Sequence, residues 1–254
     1  MSEYDLLYLS PHLDDAVLSC GGQIYMHTEA GRSVLVVTFM AGEPRTDTRS
    51  TLAEYLHHNW GVTAETAVAR RRAEDKAACR RLGADTLHLS VPDCIYRVHP
   101  ESGQPLYTSD EALFGEVDES EAYLIEELVG KMSRLPAAGR ILGPLGVGHH
   151  VDHQLTKKAA ERHFGREHLV YYEDYPYVQR DPDVLDALLP AETQWKPELI
   201  PLTEAALQAR LEASLAYDSQ ISVLFNDPQT LADTLKTYVK SVGGERVWQP
   251  LGAS

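Results

Sequence analysis

The chain is poor in cysteine. Only Cys20, Cys79 and Cys94 occur among 254 residues, widely spaced and with no C-x-x-C pair. That excludes a disulfide scaffold, a cysteine-rich zinc site and a thioredoxin-like motif. An odd number of thiols suits a reducing compartment. Positive charge is scarce as well: 23 Lys+Arg stand against 38 Asp+Glu, a formal net charge of −15. A phosphate backbone demands a basic face, and anionic lipid headgroups demand the same. Neither nucleic acid nor a membrane is therefore the expected partner. No apolar run approaches the roughly 18 residues that cross a bilayer. The opening residues, MSEYDLLYLSPHLDD, lack a basic segment ahead of an apolar one. A cytoplasmic protein is the expectation. A glycine-rich phosphate loop is also missing. The first strand leads into His-Leu-Asp-Asp, and Gly146-Val147-Gly148 is too short for a dinucleotide fingerprint.

What is present is a globular composition. Hydrophobic residues make up 43% of the chain, too many for a disordered polymer. Residues 4–10 (YDLLYLS) read as a buried strand, residues 14–30 as a helix stopped by Gly31, and residues 33–40 (SVLVVTFM) as a second buried strand. Strand, helix and strand in so short a span form a βαβ unit, which builds parallel sheets. The polar stretch 41–50 reads as a loop. Helices are expected at 63–82, 120–135 and 151–164, strands at 86–90, 140–144 and 169–172, and irregular chain at 93–120. Further on, residues 203–221 have helical periodicity, and Asp227-Pro228 marks another helix start, with Gly243 and Gly244 beyond its end. The expected fold is one α/β domain over residues 1–254. It has a Rossmann-like sheet of mainly parallel strands, helices on both faces, and a mainly helical C-terminal section over 190–254.

Two clusters carry chemistry. His12, Asp14 and Asp15 fall where a strand meets a helix, the position at which open α/β sheets bind ligands. Adjacent carboxylates repel unless paired or metal-bound; the alternative is that one of them caps the helix. His149, His150, Asp152 and His153 fall at another strand-to-helix junction. His150 and His153 can share a helix face, and Asp152 can accept an imidazole N–H; the alternative is a polar helix start. Two histidines and one carboxylate form a common catalytic zinc set with a position open to water. The same set suits Fe(II).

SPHLDDAVLSCGG and GHHVDHQL resemble the two signature motifs of the PIG-L/LmbE-like family of zinc-dependent N-acetylglucosaminyl deacetylases. The resemblance continues through RRRAEDKAACRRLGAD, VPD at 91–93, YYEDYPY at 171–177 and YDSQ at 217–220. It implies that His12, Asp15 and His153 bind the metal, that Asp14 is the general base, and that His150 stabilises the oxyanion. It further implies that Asp152 orients His150, and that Arg71 and Asp93 contact the sugar. Three departures stand out: Leu13 and Ala16 replace a proline and a glutamate, and Gly148 stands where some members have a tyrosine that polarises the substrate carbonyl.

The expected activity is removal of an acetyl or other acyl group from an N-acylated amino sugar or its conjugate. The alternatives are a zinc hydratase or lyase acting on a small unsaturated acid, a non-enzymatic metal- or sugar-binding module, and an Fe(II) oxygenase. Several pocket arginines would favour the hydratase; a binding module has no need of the Asp14 carboxylate. A homo-oligomer is compatible with the sequence and not specified by it. Among 13 tyrosines, Tyr172 and Tyr175 are candidates for the pocket wall. Arg70 and Arg72 read as solvent-facing, His57 and His58 as surface residues, and His149 as standing outside the metal's immediate ligands.

Overall fold

The computed structural model describes residues 3–180, 184–189 and 194–251. Among these, short apolar and β-branched runs form seven strands: β1 (Tyr4–Ser10), β2 (Val34–Thr38), β3 (Asp85–His88), β4 (Ala138–Pro144), β5 (Leu169–Tyr172), β6 (Trp195–Ile200) and β7 (Glu245–Pro250). The helices of the first two thirds are α1 (Asp15–Glu29), α2 (Thr51–Asn59), α3 (Ala67–Arg81), α4 (Asp110–Leu113), α5 (Ala122–Met132) and α6 (Val151–Phe164). Those that follow are α7 (Tyr177–Arg180), α8 (Val184–Leu188), α9 (Glu204–Ser214), α10 (Asp218–Leu224) and α11 (Pro228–Val242).

The strands make one sheet in the order β3-β2-β1-β4-β5-β7-β6. The first five are parallel, while β7 runs antiparallel to β5 and to β6. Central strands of such a sheet are buried on both faces, so alternate side chains feed two cores. Leu7, Leu9, Leu35 and Val37 pack with α5, α6 and α11 on one face. Leu6, Tyr8, Val34 and Val36 pack with α1, α3 and α9 on the other. From β1 the chain steps one way to β2 and β3, and later the other way to β4 and β5. The β1/β4 boundary is therefore the switch point where a crevice opens beyond the carboxyl ends of the strands.

The fold is the α/β sheet that the sequence describes, with three differences of detail. The C-terminal section carries α9, α10 and α11 but also contributes β6 and β7; residues 190–193 of that section lie outside the described residues. These strands escape pattern reading for physical reasons. Pro197 interrupts β6, which is tolerated because β6 lies at the sheet edge, and β7 opens on a buried glutamate, Glu245. The single helix expected over 203–221 is divided at Tyr217, whose backbone leaves the helical region while its hydroxyl donates to Asp75 at 2.7 Å. Finally, residues 51–59 form α2, capped by the Ser50 side chain. His57 on that helix is buried and lies 2.7 Å from the Tyr96 hydroxyl, whereas His58 is exposed. The expectation that both histidines are surface residues therefore holds only for His58. No described helix is long and apolar enough to cross a membrane.

Two adjacent glycines in the middle of α1, Gly21 and Gly22, are costly on propensity grounds. Close approach explains them. A Cβ at Gly21 would meet Arg210 Cγ at 2.9 Å, and one at Gly22 would meet Leu202 at 2.5 Å. Through this seam Arg210 Nε donates to the Leu18 carbonyl at 3.0 Å, while Gly22 N–H and Gln23 N–H donate to Glu245 at 2.8 and 2.9 Å. Arg210 and Glu245 pair at 3.1 Å, both fully buried. Breaking one half of such a pair costs about 3–5 kcal/mol. Arg210→Met is expected to lose that much unfolding free energy in urea titrations; a loss below about 1 kcal/mol would show that the pair does not anchor α1.

Candidate active site

The crevice at the switch point collects both sequence clusters. His12 and Asp15 follow β1, and His150, Asp152 and His153 follow β4, the strand paired beside it. The return from β4 takes tight turns through residues in the left-handed region, Gly146 (φ 90°), Gly148 (φ 87°) and His149 (φ 60°). These turns deliver His150 to the N-cap of α6, where its Nδ1 accepts the Asp152 N–H at 3.2 Å. With Nδ1 accepting, the imidazole proton of neutral His150 resides on Nε2. Burial and the neighbouring His12 push His150 down to about 3, which keeps it neutral. His149 points outward, toward Glu116 at 3.1 Å.

Two carboxylates fix the other two imidazoles. Asp152 Oδ2 lies 2.9 Å from His12 Nε2 and accepts the Cys94 N–H at 3.0 Å, while Oδ1 takes Arg97. Burial would raise Asp152, but Arg97 and His12 outweigh it and hold the carboxyl well below its usual range. An ionised carboxylate only accepts, so His12 presents Nε2–H to it and keeps its lone pair on Nδ1. Asp174 acts likewise on His153. Its Oδ2 accepts the Gly146 and Val147 N–H groups at 2.8 and 2.9 Å, and its Oδ1 lies 2.7 Å from His153 Nδ1. The lone pair of His153 is thereby left on Nε2, a buried atom with no hydrogen-bond partner among the described residues.

Both lone pairs face one oxygen. Asp15 Oδ2 lies 3.2 Å from His12 Nδ1 and 3.3 Å from His153 Nε2. Three acceptors so close repel unless a cation stands among them. The spacing matches neighbouring ligands of a tetrahedral zinc, which lie about 3.3 Å apart for bonds near 2.05 Å. Without a metal the same field favours a proton: although burial opposes it, Asp15 and Asp174 raise His153 to about 9. One donor atom each from His12, His150 and His153 also fall within 4.8 Å of one another. Asp15 Oδ2 lies nearer than that to His12 Nδ1 and His153 Nε2, and His150 Nδ1 is already engaged by the α6 backbone.

Asp14 occupies the N-cap position of α1 but makes no capping bond; the Ala16 N–H goes to Ser10 Oγ at 3.0 Å. Its carboxylate makes no hydrogen bond among the described residues, and its charged neighbour is Arg71 at 4.0 Å. Burial, and then the adjacent Asp15 charge, push Asp14 up to about 7. Arg71 stacks on the Trp60 ring, 4.8 Å from its centroid, and donates to Asp93 Oδ2 at 3.1 Å. His12, Asp14, Asp15, Arg71, Asp93 and His150 all line one cleft, together with the apolar Leu56, Trp60, Ile95, Leu113 and Leu224.

A family model described as PIG-L, GlcNAc-PI de-N-acetylase, matches residues 7–164, which include both clusters. The chain belongs to the PIG-L family. The 2'-N-acetylparomamine deacetylase of Niallia circulans is 27% identical over 235 residues, 87% of this chain and 82% of that protein. Among solved structures, the zinc-inhibited form of teicoplanin deacetylase matches with a TM-score of 0.82 at 27% identity, over 98% of each chain. The A40926 pseudoaglycone deacetylase matches with 0.75 at 30% identity, over 99% of each.

The geometry of this PIG-L chain departs from sequence expectation at three points. The Asp152 carboxylate turns to His12; only its backbone N–H reaches His150. Tyr172 and Tyr175 face away from the cleft, donating to the Leu9 carbonyl at 2.9 Å and to Thr234 at 3.2 Å. The tyrosine that lines the cleft is Tyr177. Its ring fills the space beside Gly148, where an added Cβ would meet Tyr177 Cγ at 2.8 Å. Asp174, Arg97, Glu121 and Tyr177 are missed by the sequence reading. Only Asp174 and Tyr177 had a signal, since both lie in YYEDYPY. Gly148→Ala combines a positive φ with this clash, so it is expected to destabilise the protein by at least about 1 kcal/mol; a wild-type thermal midpoint in that variant would refute the tight seating of Tyr177.

Proposed function

We propose that this protein is a metal-dependent hydrolase that removes an acetyl group, or another small acyl group, from the nitrogen of an amino sugar or its conjugate. The observation that carries the reading is Asp14: a buried carboxylate that caps nothing, standing beside three acceptor atoms converged for a cation. His12, Asp15 and His153 would hold the metal, zinc by ligand type, with Fe(II) suited to the same set. When bound, such an ion supplies Lewis acidity toward an amide oxygen and brings the pKa of a water to about 7.

The remaining steps fall to the chain's own side chains. Asp14, free of hydrogen bonds and raised toward neutrality, accepts the proton of the attacking water. Neutral His150 lines the cleft, and its Nε2–H would hydrogen-bond the carbonyl oxygen as negative charge develops. Asp152 seats His150 through its backbone N–H. Arg71 and Asp93, fixed by their mutual bond, offer an anchored donor and acceptor for sugar hydroxyls. Breakage of the C–N bond yields acetate and a free amine. The cleft space is about 90 Å³; a cavity of about 150 Å³ holds benzene, so this one suits an acetyl-sized group with the acceptor outside. The named activities of the relatives, deacetylation of 2'-N-acetylparomamine, of teicoplanin and of the A40926 pseudoaglycone, support the same reaction class.

One observation weighs against the hydratase alternative. Arg71 is the single Lys or Arg among the described residues lining the cleft, and it is already paired, leaving no free cation for a dicarboxylic acid. A plain binding module leaves the uncommitted Asp14 unexplained.

Metal content and acetate release test the proposal together. Metal-free protein is titrated with zinc through and beyond one equivalent, because a solved relative exists in a zinc-inhibited form. N-acetylglucosamine conjugates and 2'-N-acetylparomamine serve as substrates. The wild type is expected to bind about one zinc and release acetate, and His153→Ala to lose the metal. Asp14→Asn is expected to keep the metal while losing activity by about 10²-fold or more. A metal-loaded, fully active Asp14→Asn enzyme would remove Asp14 as the base, and a wild type that takes up no metal would remove the mechanism.

A further inference from the structure

The two carboxylates behind the histidines are aimed differently. Asp174 is held by two backbone N–H groups of the turn after β4. Asp152 receives a single backbone N–H, from Cys94, on the oxygen that faces His12. Its other oxygen is clamped by the Arg97 guanidinium. A carboxylate turns freely about one bond, so fixing Oδ1 aims Oδ2. Arg97 is itself fixed by a two-pronged bond to Glu121, with Nε to Oε1 at 2.5 Å and Nη2 to Oε2 at 3.0 Å. Glu121 also accepts the Tyr107 hydroxyl at 2.6 Å. The side chains of Arg97, Glu121 and Asp152 are 5%, 2% and 0% exposed. Such buried charges are expensive to maintain, and Arg97 neither lines the cleft nor belongs to either sequence motif.

We infer that Arg97 is a positioning residue for the metal centre, aiming Asp152 so that His12 holds its proton on Nε2 and its lone pair toward Asp15, with Glu121 fixing Arg97 for that task. The inference rests on the metal reading above. It has a spatial consequence. Arg97, Tyr107 and Glu121 belong to the segment that also supplies Asp93, Ile95 and Leu113 to the cleft wall. The wall that meets the substrate and the aim of one metal-binding histidine are therefore fixed by the same buried fork.

Zinc affinity by competition with a chromophoric chelator and ring-nitrogen NMR of the zinc-loaded protein test the inference. In the wild type, His12 is expected to carry its proton on Nε2; a proton on Nδ1 overturns the inference. The paired variant Arg97→Met/Glu121→Gln removes both charges at once. Folded by circular dichroism, it is expected to bind zinc about 10- to 100-fold more weakly and to lose the single Nε2–H state of His12, which a merely structural role would not move. Affinity within about twofold of wild type in that folded variant overturns the inference. Should it not fold, Glu121→Gln alone decides: zinc binding weaker by about threefold supports the inference, and unchanged binding overturns it. A metal-loaded, acetate-releasing wild type with an unaffected variant overturns the inference alone. A wild type that binds no metal overturns the function beneath it as well.

Discussion

The Asp15 carboxylate faces His12 Nδ1 and His153 Nε2 at 3.2 and 3.3 Å, three acceptor atoms that repel unless a proton or a metal cation stands among them. Left so, the arrangement is repulsive, and the surrounding structure supplies the restraint that keeps it from relaxing. Asp152 and Asp174 each hold the far nitrogen of an imidazole, so neither ring can turn its N–H inward. The backbone N–H of His12 donates to Asp15 Oδ2 at 2.7 Å, tying that oxygen to the turn that also carries Asp14. The tight turns after β4 then bring His150 and His153 up from the neighbouring strand. The site is electrostatically strained toward binding a positive charge, and its rigidity is what stores that preference.

The same economy governs the Arg71–Asp93 pair and Asp14. A buried carboxylate normally earns its place through hydrogen bonds. Asp93 has them, from Arg71 and from the Ile95 N–H at 3.2 Å, and so does Asp15. Asp14 has none, although a helix N-terminus with amide donors begins beside it. Ser10 takes over the service to the Ala16 N–H, which releases Asp14 for the cleft. The structure thus separates two adjacent aspartates of like chemistry into one whose Oδ2 is engaged by the His12 backbone and two imidazoles and one without a hydrogen bond among the described residues.

Much of this was legible in the sequence because the chemistry-bearing residues sit next to strand ends. The βαβ pattern around residues 4–40 and the apolar run before His149 place both clusters at strand termini, and a parallel sheet has few ways to arrange such termini. Arg71 and Asp93, which the resemblance named as sugar contacts, line the cleft. What stayed hidden depends on contacts without local pattern. Arg97 lies in a stretch read as irregular and Glu121 at the start of an expected helix, and their meaning arises only when Asp152 is placed between Arg97 and His12. His57 sits among polar neighbours, yet the Tyr96 hydroxyl and the Trp60 ring receive it inside. The strands β6 and β7 carry proline, lysine and glutamate where a pattern search expects alternation, and they form because β5 offers β7 an edge and β7 in turn offers one to β6.

The seam at Gly21 and Gly22 bears on where this protein can be cut. The family signature ends at residue 164, which invites treating the remainder as an appendage. Yet Arg210 and Glu245 reach from that remainder into the backbone of α1, the helix whose first turn presents Asp14 and Asp15. The signature is therefore a unit of recognition and not a unit of folding. Shortened versions of the chain must keep the distant strand β7, because the backbone of α1 is moored by Arg210 and by Glu245 of that strand.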